Sequence, residues 1–417
     1  MIEYKRHILN NGLRLLVHED PTTALIALNL LYDVGSKDED ADKTGFAHLF
    51  EHLMFNGSKN IPDFDAPIQL AGGENNAFTN SDITNFYDIV PADNFEIALW
   101  LESDRMKDLS FDQKGFDTQK KVVVEEFKET CLNIPYGDAW HKLSSMAYQS
   151  HPYQWPTIGK VPEHISESHI DDAKAFFKRH YAPDNAVLVI AGHITYSEAI
   201  ELVEKWFGDI PASGHQKRVL NQEPPQLEKH SETVKTAIPA DAIFLGFHTE
   251  GRMHDDYYAS DILSDILSGG RSSRFYQRLY KKSNLFSRIE AYISGTADPG
   301  LFIIEGKMPE HRTVQEGIDA IWEELEDIKQ NGIQERELEK VKHKIESSLY
   351  FSEVNVLNKA ISLAFFEWLG DASMINQQAA KYNSITQADV QRLANQLFTE
   401  ENCNELIYLK EPISKLD

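Results

Sequence analysis

His48, Glu51 and His52 stand in the order H-x-x-E-H within residues 47–57, AHLFEHLMFNG. Four residues make about one helical turn, so on a helix both imidazoles project from one face and can share a metal ion. Glu51, one residue before His52, points to the edge of that face. From there it can reach a metal-bound water without being a ligand itself. Thr44 as N-cap, the apolar Phe46, Leu49, Phe50, Leu53 and Met54, and Gly57 as a stop predict a helix over 44–56. The competing reading is an ordinary amphipathic helix that happens to carry two His and a Glu, and five residues alone do not separate the two. A catalytic zinc site needs a third protein ligand and one open position. A predicted helix over 112–132 offers Glu125, Glu126 and Glu129, and periodicity does not choose among them.

The elements that must position these groups alternate between strand and helix. Residues 13–17 and 24–32 read as strands, the second an apolar run suited to burial on both faces. Residues 78–90 read as one strand after the Gly72-Gly73 turn, followed by a helix over 94–107. A helix near 170–177 and a fully apolar strand over 186–191 close the first half. Between 209 and 232 the chain is polar, carries three prolines and loses its periodicity, which is a linker signature. Beyond it the order recurs: a strand over 242–247, helices over 255–267 and 272–282, and strands over 286–296 and 300–308. Helices over 314–328, 333–350, 355–369 and 385–397 and a last strand ending near Leu409 complete the chain.

The two halves also end alike, with Ile165-Ser-Glu-Ser-His-Ile170 matching Ile385-Thr-Gln-Ala-Asp-Val390. This predicts an internal duplication: residues 1–208 as a metal-binding half, 209–232 as linker, and 233–417 as a related half. In the second copy the motif becomes Asp261, Ser264 and Asp265, which has lost both imidazoles and the Glu. The fold class that follows is α+β, with mixed sheets flanked by helices.

Composition narrows the partners. The chain has 417 residues with 41 Lys+Arg and 66 Asp+Glu, a net charge of −25. Such a balance disfavours nucleic acid and anionic membranes and suits cations or basic peptides, although a solvated acidic surface that keeps the protein soluble explains it better. Only Cys131 and Cys403 occur, too few for a disulfide framework or a cysteine zinc site. No apolar run reaches transmembrane length, and residues 1–20 lack the pattern of a secretion signal, so a cytoplasmic location is expected. The P-loop and dinucleotide fingerprints are absent.

Several motifs in order carry a more specific message. GFAHLFEHLMFNGS (45–58), NNAFTNSDITNFYDIV (75–90), QKKVVVEEFKE (119–129), HPYQWPTIG (151–159), YAPDNAVLVIAG (181–192) and SGGRSSRFYQRLY (268–280) together resemble the pitrilysin/insulin-degrading-enzyme superfamily. Within it, the chain is similar to half-size members related to the catalytic subunit of the mitochondrial processing peptidase. The resemblance implies two α/β-roll halves closing like a clamshell, one Zn2+ per chain, and hydrolysis of peptides. It selects Glu126 as third ligand beside His48 and His52, and Glu51 as the general base. It also makes Asn76, Ala77, Phe78 and Thr79 a substrate-binding edge strand, with Asn76 a polar clamp and Phe78 a pocket wall.

Two departures from the family pattern stand out. Gln119 occupies a position where the family often has a Glu that supports the metal site. Tyr280 and Ser287 stand where active members carry an Arg and a Tyr, a pair that a related partner subunit supplies in two-chain relatives. A heterodimer is therefore expected, with a homodimer as the alternative. The rival functions are a non-catalytic assembly subunit of the same superfamily and a peptidase dedicated to maturing one precursor.

Overall fold

The computed structural model describes residues 1–110, 112–214 and 216–411. The chain divides into two compact units. The first comprises residues 1–127, 155–220 and 349–377; the second comprises 128–154, 221–348 and 378–417. This division differs from the linear one at 209–232. Each unit takes a segment from the other half of the sequence, and the interval read as linker already contains the start of a strand at His230.

The first unit is built on a six-stranded mixed sheet. Its strands are β1 (Lys5–Ile8), β2 (Arg14–Glu19), β3 (Leu25–Tyr32), β4 (Glu74–Thr79), β5 (Thr84–Pro91) and β6 (Ala186–Gly192), in the order β1-β2-β6-β3-β5-β4. Residues 25–32 read as a continuous apolar run because both faces are covered. Ile26, Leu28, Leu30 and Tyr32 enter the main core with the flanking helices. The alternate residues face the other way, toward helix Val356–Leu369, which packs on β3 and β6.

The second unit holds β7 (His230–Thr236), β8 (Ala242–Thr249), β9 (Arg288–Ile293), β10 (Gly300–Lys307) and β11 (Cys403–Lys410), in the order β7-β11-β8-β10-β9. Replacing β7, β11, β8, β10 and β9 by β2, β6, β3, β5 and β4 reproduces the first sheet's order, with β1 as an added edge. The duplication is thus visible in topology, parallel and antiparallel pairings included. Helix Ala139–Ala147, from the first half of the sequence, packs on β8 and β11, as Val356–Leu369 packs on the first sheet.

Two elements differ locally from their sequence prediction. The strand predicted over 78–90 is a hairpin of β4 and β5, broken because Asn80 Oδ1 accepts from the Asp82 and Ile83 N–H groups and closes a turn. The long helix predicted over 112–132 is an α-helix over Gln113–Phe127 followed by a π-helical turn over Lys128–Leu132. Among the described residues, no helix is long and apolar enough to cross a membrane.

Candidate metal centre

Helix Phe46–Phe55 buries Phe46, Ala47, Leu49, Phe50, Leu53 and Met54 in the first unit's core. That leaves His48, Glu51 and His52 on its remaining face, only partly covered. Its N-cap is Gly45, not Thr44. Gly45 has φ of +92°, and a Cβ there would lie 2.8 Å from the Ile158 carbonyl oxygen, so the position admits only glycine without strain. The Thr44 hydroxyl turns elsewhere, to the His164 ring and the Lys160 N–H.

With no side chain at the N-cap, the helix start is satisfied from a distance. Glu39, 1% exposed, accepts from the Gly45 N–H at 2.9 Å and the Ala47 N–H at 2.8 Å. The Trp155 indole N–H adds a third donor at 3.2 Å. An anion at a helix N-terminus is favoured by the peptide dipoles. Burial works against the charge and pushes the Glu39 carboxyl up to about 8. The three converging N–H donors work in the opposite direction and favour the carboxylate form. Glu39→Ala would leave the Gly45 and Ala47 N–H groups unsatisfied in the interior. It is expected to lower unfolding free energy by about 2–3 kcal/mol, read from urea melts.

The third candidate ligand comes from helix Gln113–Phe127. Glu126 Oε2 lies 3.2 Å from His48 Nε2 and 3.3 Å from His52 Nε2. Among the described residues, these three form a donor set whose ligand atoms lie within 4.8 Å of one another. Ligands about 2.0–2.1 Å from a tetrahedral zinc ion are separated by roughly 3.3–3.5 Å. The two separations from Glu126 lie at and just below that range, and the His2Glu donor chemistry suits zinc. Glu125, on the neighbouring position, is exposed. In the second unit the corresponding Asp261 and Asp265 are occupied otherwise, by the Tyr382 hydroxyl and the Lys344 ammonium.

Protonation favours ligation. Burial, reinforced by the neighbouring His48, lowers the His52 pKa, which keeps the imidazole neutral. The hydrogen bond with His48 is the main cause holding the Glu126 carboxyl below its usual range, which keeps it anionic. Neutral imidazole and carboxylate are the metal-binding forms. Gln119 also hydrogen-bonds the His52 ring, which works against that lowering of the pKa. Its Nε2 donates to Asn56 Oδ1 at 2.7 Å. An amide pair therefore stands where a carboxylate was expected to support the site. Glu51 Oε2 is 3.9 Å from His48 Nδ1, outside the donor set, with its side chain 21% exposed.

The edge strand β4 lies beside the metal helix and pairs with β5 on one side only. Ala77 packs against the core, so Asn76 and Phe78 point to the opposite face, level with Tyr87 and Asn85. Asn76 Oδ1 accepts from the Ala77 N–H at 2.8 Å. Thr79 ends the strand opposite Thr84. In the second unit Tyr280 stacks on Tyr276 with ring centroids 5.1 Å apart, and Ser287 Oγ donates to the Lys307 carbonyl. Sequence reasoning missed Glu39 and Asn56. Glu39 sits in an acidic run that reads as solvated loop, and it caps a helix beginning seven residues later; Asn56 looks like an ordinary helix-end residue.

Two sheets of matching strand order, with the His48, His52 and Glu126 cluster beside the first, define a duplicated chain. The sequence comparisons identify the class. A model of insulinase (peptidase family M16) matches residues 14–160, and a model of the peptidase M16 inactive domain matches residues 169–345. The chain belongs to peptidase family M16. It is 29% identical to the uncharacterized zinc protease YmxG of Bacillus subtilis, over 97% of this chain and 98% of that one. It is 28% identical to the zinc protease PqqE of Helicobacter pylori, over 96% and 91% of the two chains. The crystal structure of a protease from Helicobacter pylori matches it with a TM-score of 0.92 and 25% identity, covering 99% and 100%.

Proposed function

We propose that the chain is a zinc metallopeptidase that cleaves peptides or unfolded segments held in extended form. The observation that carries this reading is the approach of Glu126 Oε2 to both imidazoles from a helix remote in sequence. His48, His52 and Glu126 would hold the metal. Zinc in such a site supplies a Lewis acid and lowers the pKa of a coordinated water to about 7. Glu51 takes the proton from the attacking water and passes it to the departing amine, a task suited to a carboxylate beside the donor set and open to solvent. The β4 edge offers backbone hydrogen bonds to an extended substrate, which places a peptide without reading most of its side chains. Asn76 is the polar clamp in this scheme, and Ala77, Phe78 and Thr79 complete the strand. Incubating the protein with a mixed peptide library, with and without a chelator, tests the reading by mass spectrometry. Cleavage that stops with chelator and returns with zinc is expected; an intact library at every zinc concentration contradicts it.

Full activity in this proposal needs a second chain. Tyr280 is engaged with Tyr276 and Ser287 with a backbone carbonyl, and neither supplies the guanidinium and phenol expected at those positions. A related subunit carrying an Arg/Tyr pair would provide them, with a homodimer as the lesser arrangement. Adding such a subunit is expected to raise kcat/KM well above that of the purified chain. Equal rates with and without every related subunit tested would remove the requirement.

A further inference from the structure

Asp88 stands on β5 with its side chain fully buried, and neither carboxyl oxygen has a hydrogen-bond donor. The group facing it is Glu102, equally buried, from helix Phe95–Lys107. Both Glu102 oxygens are already used, accepting from Arg105 Nε at 2.8 Å and from Arg105 Nη2. The Arg105 guanidinium, 1% exposed, is held 4.2 Å from the ring centroids of both Phe64 and Phe86. That sandwich fixes it on Glu102, and its Nη1 makes no hydrogen bond.

Among the described residues no hydrogen-bond donor reaches the Asp88 carboxyl. Across β4 and β3 its partners in register are Asn75 and Leu28, neither of them ionisable. Tyr32 from β3 is near Glu102 and Arg105, but its hydroxyl makes no hydrogen bond. Tyr181, in ring contact with Tyr32 at 4.9 Å, is the other phenol in reach of Arg105. Burial raises the pKa of both, so they stay neutral. Two buried carboxylates therefore stand beside one guanidinium, and that guanidinium is bonded to only one of them. If both were ionised, one anion would be uncompensated and two acceptor groups would face each other.

We propose that Asp88 and Glu102 hold one proton between them at neutral pH, with Asp88 the carboxylic acid that donates to the Glu102 carboxylate. One proton removes the excess charge and creates the missing donor together. Burial first, and then the Glu102 carboxylate, raise the Asp88 pKa far above the usual aspartate range. The cluster lies under the end of the metal helix, since the Arg105 guanidinium is also 5.7 Å from the Phe55 ring.

A carboxyl whose folded pKa is raised binds a proton in the folded state that the unfolded chain has released above about pH 4. Stability then falls as pH rises from there toward the folded pKa. Asp88→Asn keeps a donor toward Glu102 and does not titrate. Between pH 5 and pH 8, as ranges chosen for urea melts, the wild-type unfolding constant divided by that of D88N is expected to rise by up to about tenfold per pH unit. Infrared spectra of the wild type at about pH 8, well above the unperturbed aspartate pKa, should show a protonated carboxylic acid band that moves when aspartate is 13C-labelled at its side-chain carboxyl. The labelled wild type needs no variant to fold. An acid band that ignores the label, no band at all, or a flat wild-type/D88N ratio would overturn the proposal.

Discussion

Replacing Glu51 by Gln is expected to lower kcat by at least roughly 10²–10⁴-fold while zinc remains bound at the wild-type level. The substitution keeps the shape of the side chain and removes only its ability to accept a proton at working pH. Glu51 lies 3.9 Å from His48 Nδ1, on the side of the imidazole away from the Nε2 that approaches Glu126. It is therefore beside the donor set without belonging to it, and KM should change little. Single-turnover cleavage of a reporter peptide, paired with metal analysis of the same sample, separates the two roles. Zinc lost in E51Q would make Glu51 a structural support, and unchanged turnover would take the proton transfer away from it.

Glu126→Gln is expected to act in the opposite way, on the metal first. Outer partners of metal ligands typically cost about 10–100-fold in affinity when mutated, so loss of a direct carboxylate ligand should exceed about 100-fold. Chelator competition reads this directly. Glu125→Gln is the matched control: the neighbouring side chain points to solvent and its removal should leave zinc affinity near wild type. Equal losses in both variants would show that negative charge on this helix, and not ligation by one residue, sets the affinity. His52→Ala should resemble E126Q, since each removes one member of the same donor set.

The reach of sequence reasoning differs across this site for physical reasons. His48 and His52 were legible because four-residue spacing on a helix is a local property. Glu126 was not legible from pattern, since Glu125, Glu126 and Glu129 share one segment and only packing decides which side chain turns inward. The resemblance of the surrounding motifs selected it, and the structure brings its carboxyl against both imidazoles. The helix start escaped the local rule because a buried Glu39 replaces Thr44 as the partner of the first N–H groups.

Fold class was readable from alternating strand and helix signals, and the duplication from the matched ends of the two halves. The exchange of segments was not. Residues 356–369, VLNKAISLAFFEWL, announce a buried helix through their apolar content. Nothing in them says that the sheet they cover is the first one. The break after Thr79 was hidden for a related reason: a single Asn80 side chain closes the turn, whereas the β-forming residues on either side continue the strand pattern.

The central claim is that one divalent ion is seated by His48, His52 and Glu126. Anomalous scattering collected on both sides of the zinc absorption edge, from crystals grown with zinc, tests it most directly. A single edge-dependent peak within bonding distance of His48 Nε2, His52 Nε2 and a Glu126 carboxylate oxygen is the predicted result. A peak held by other residues, or a zinc-soaked crystal with none at this position, would contradict the account.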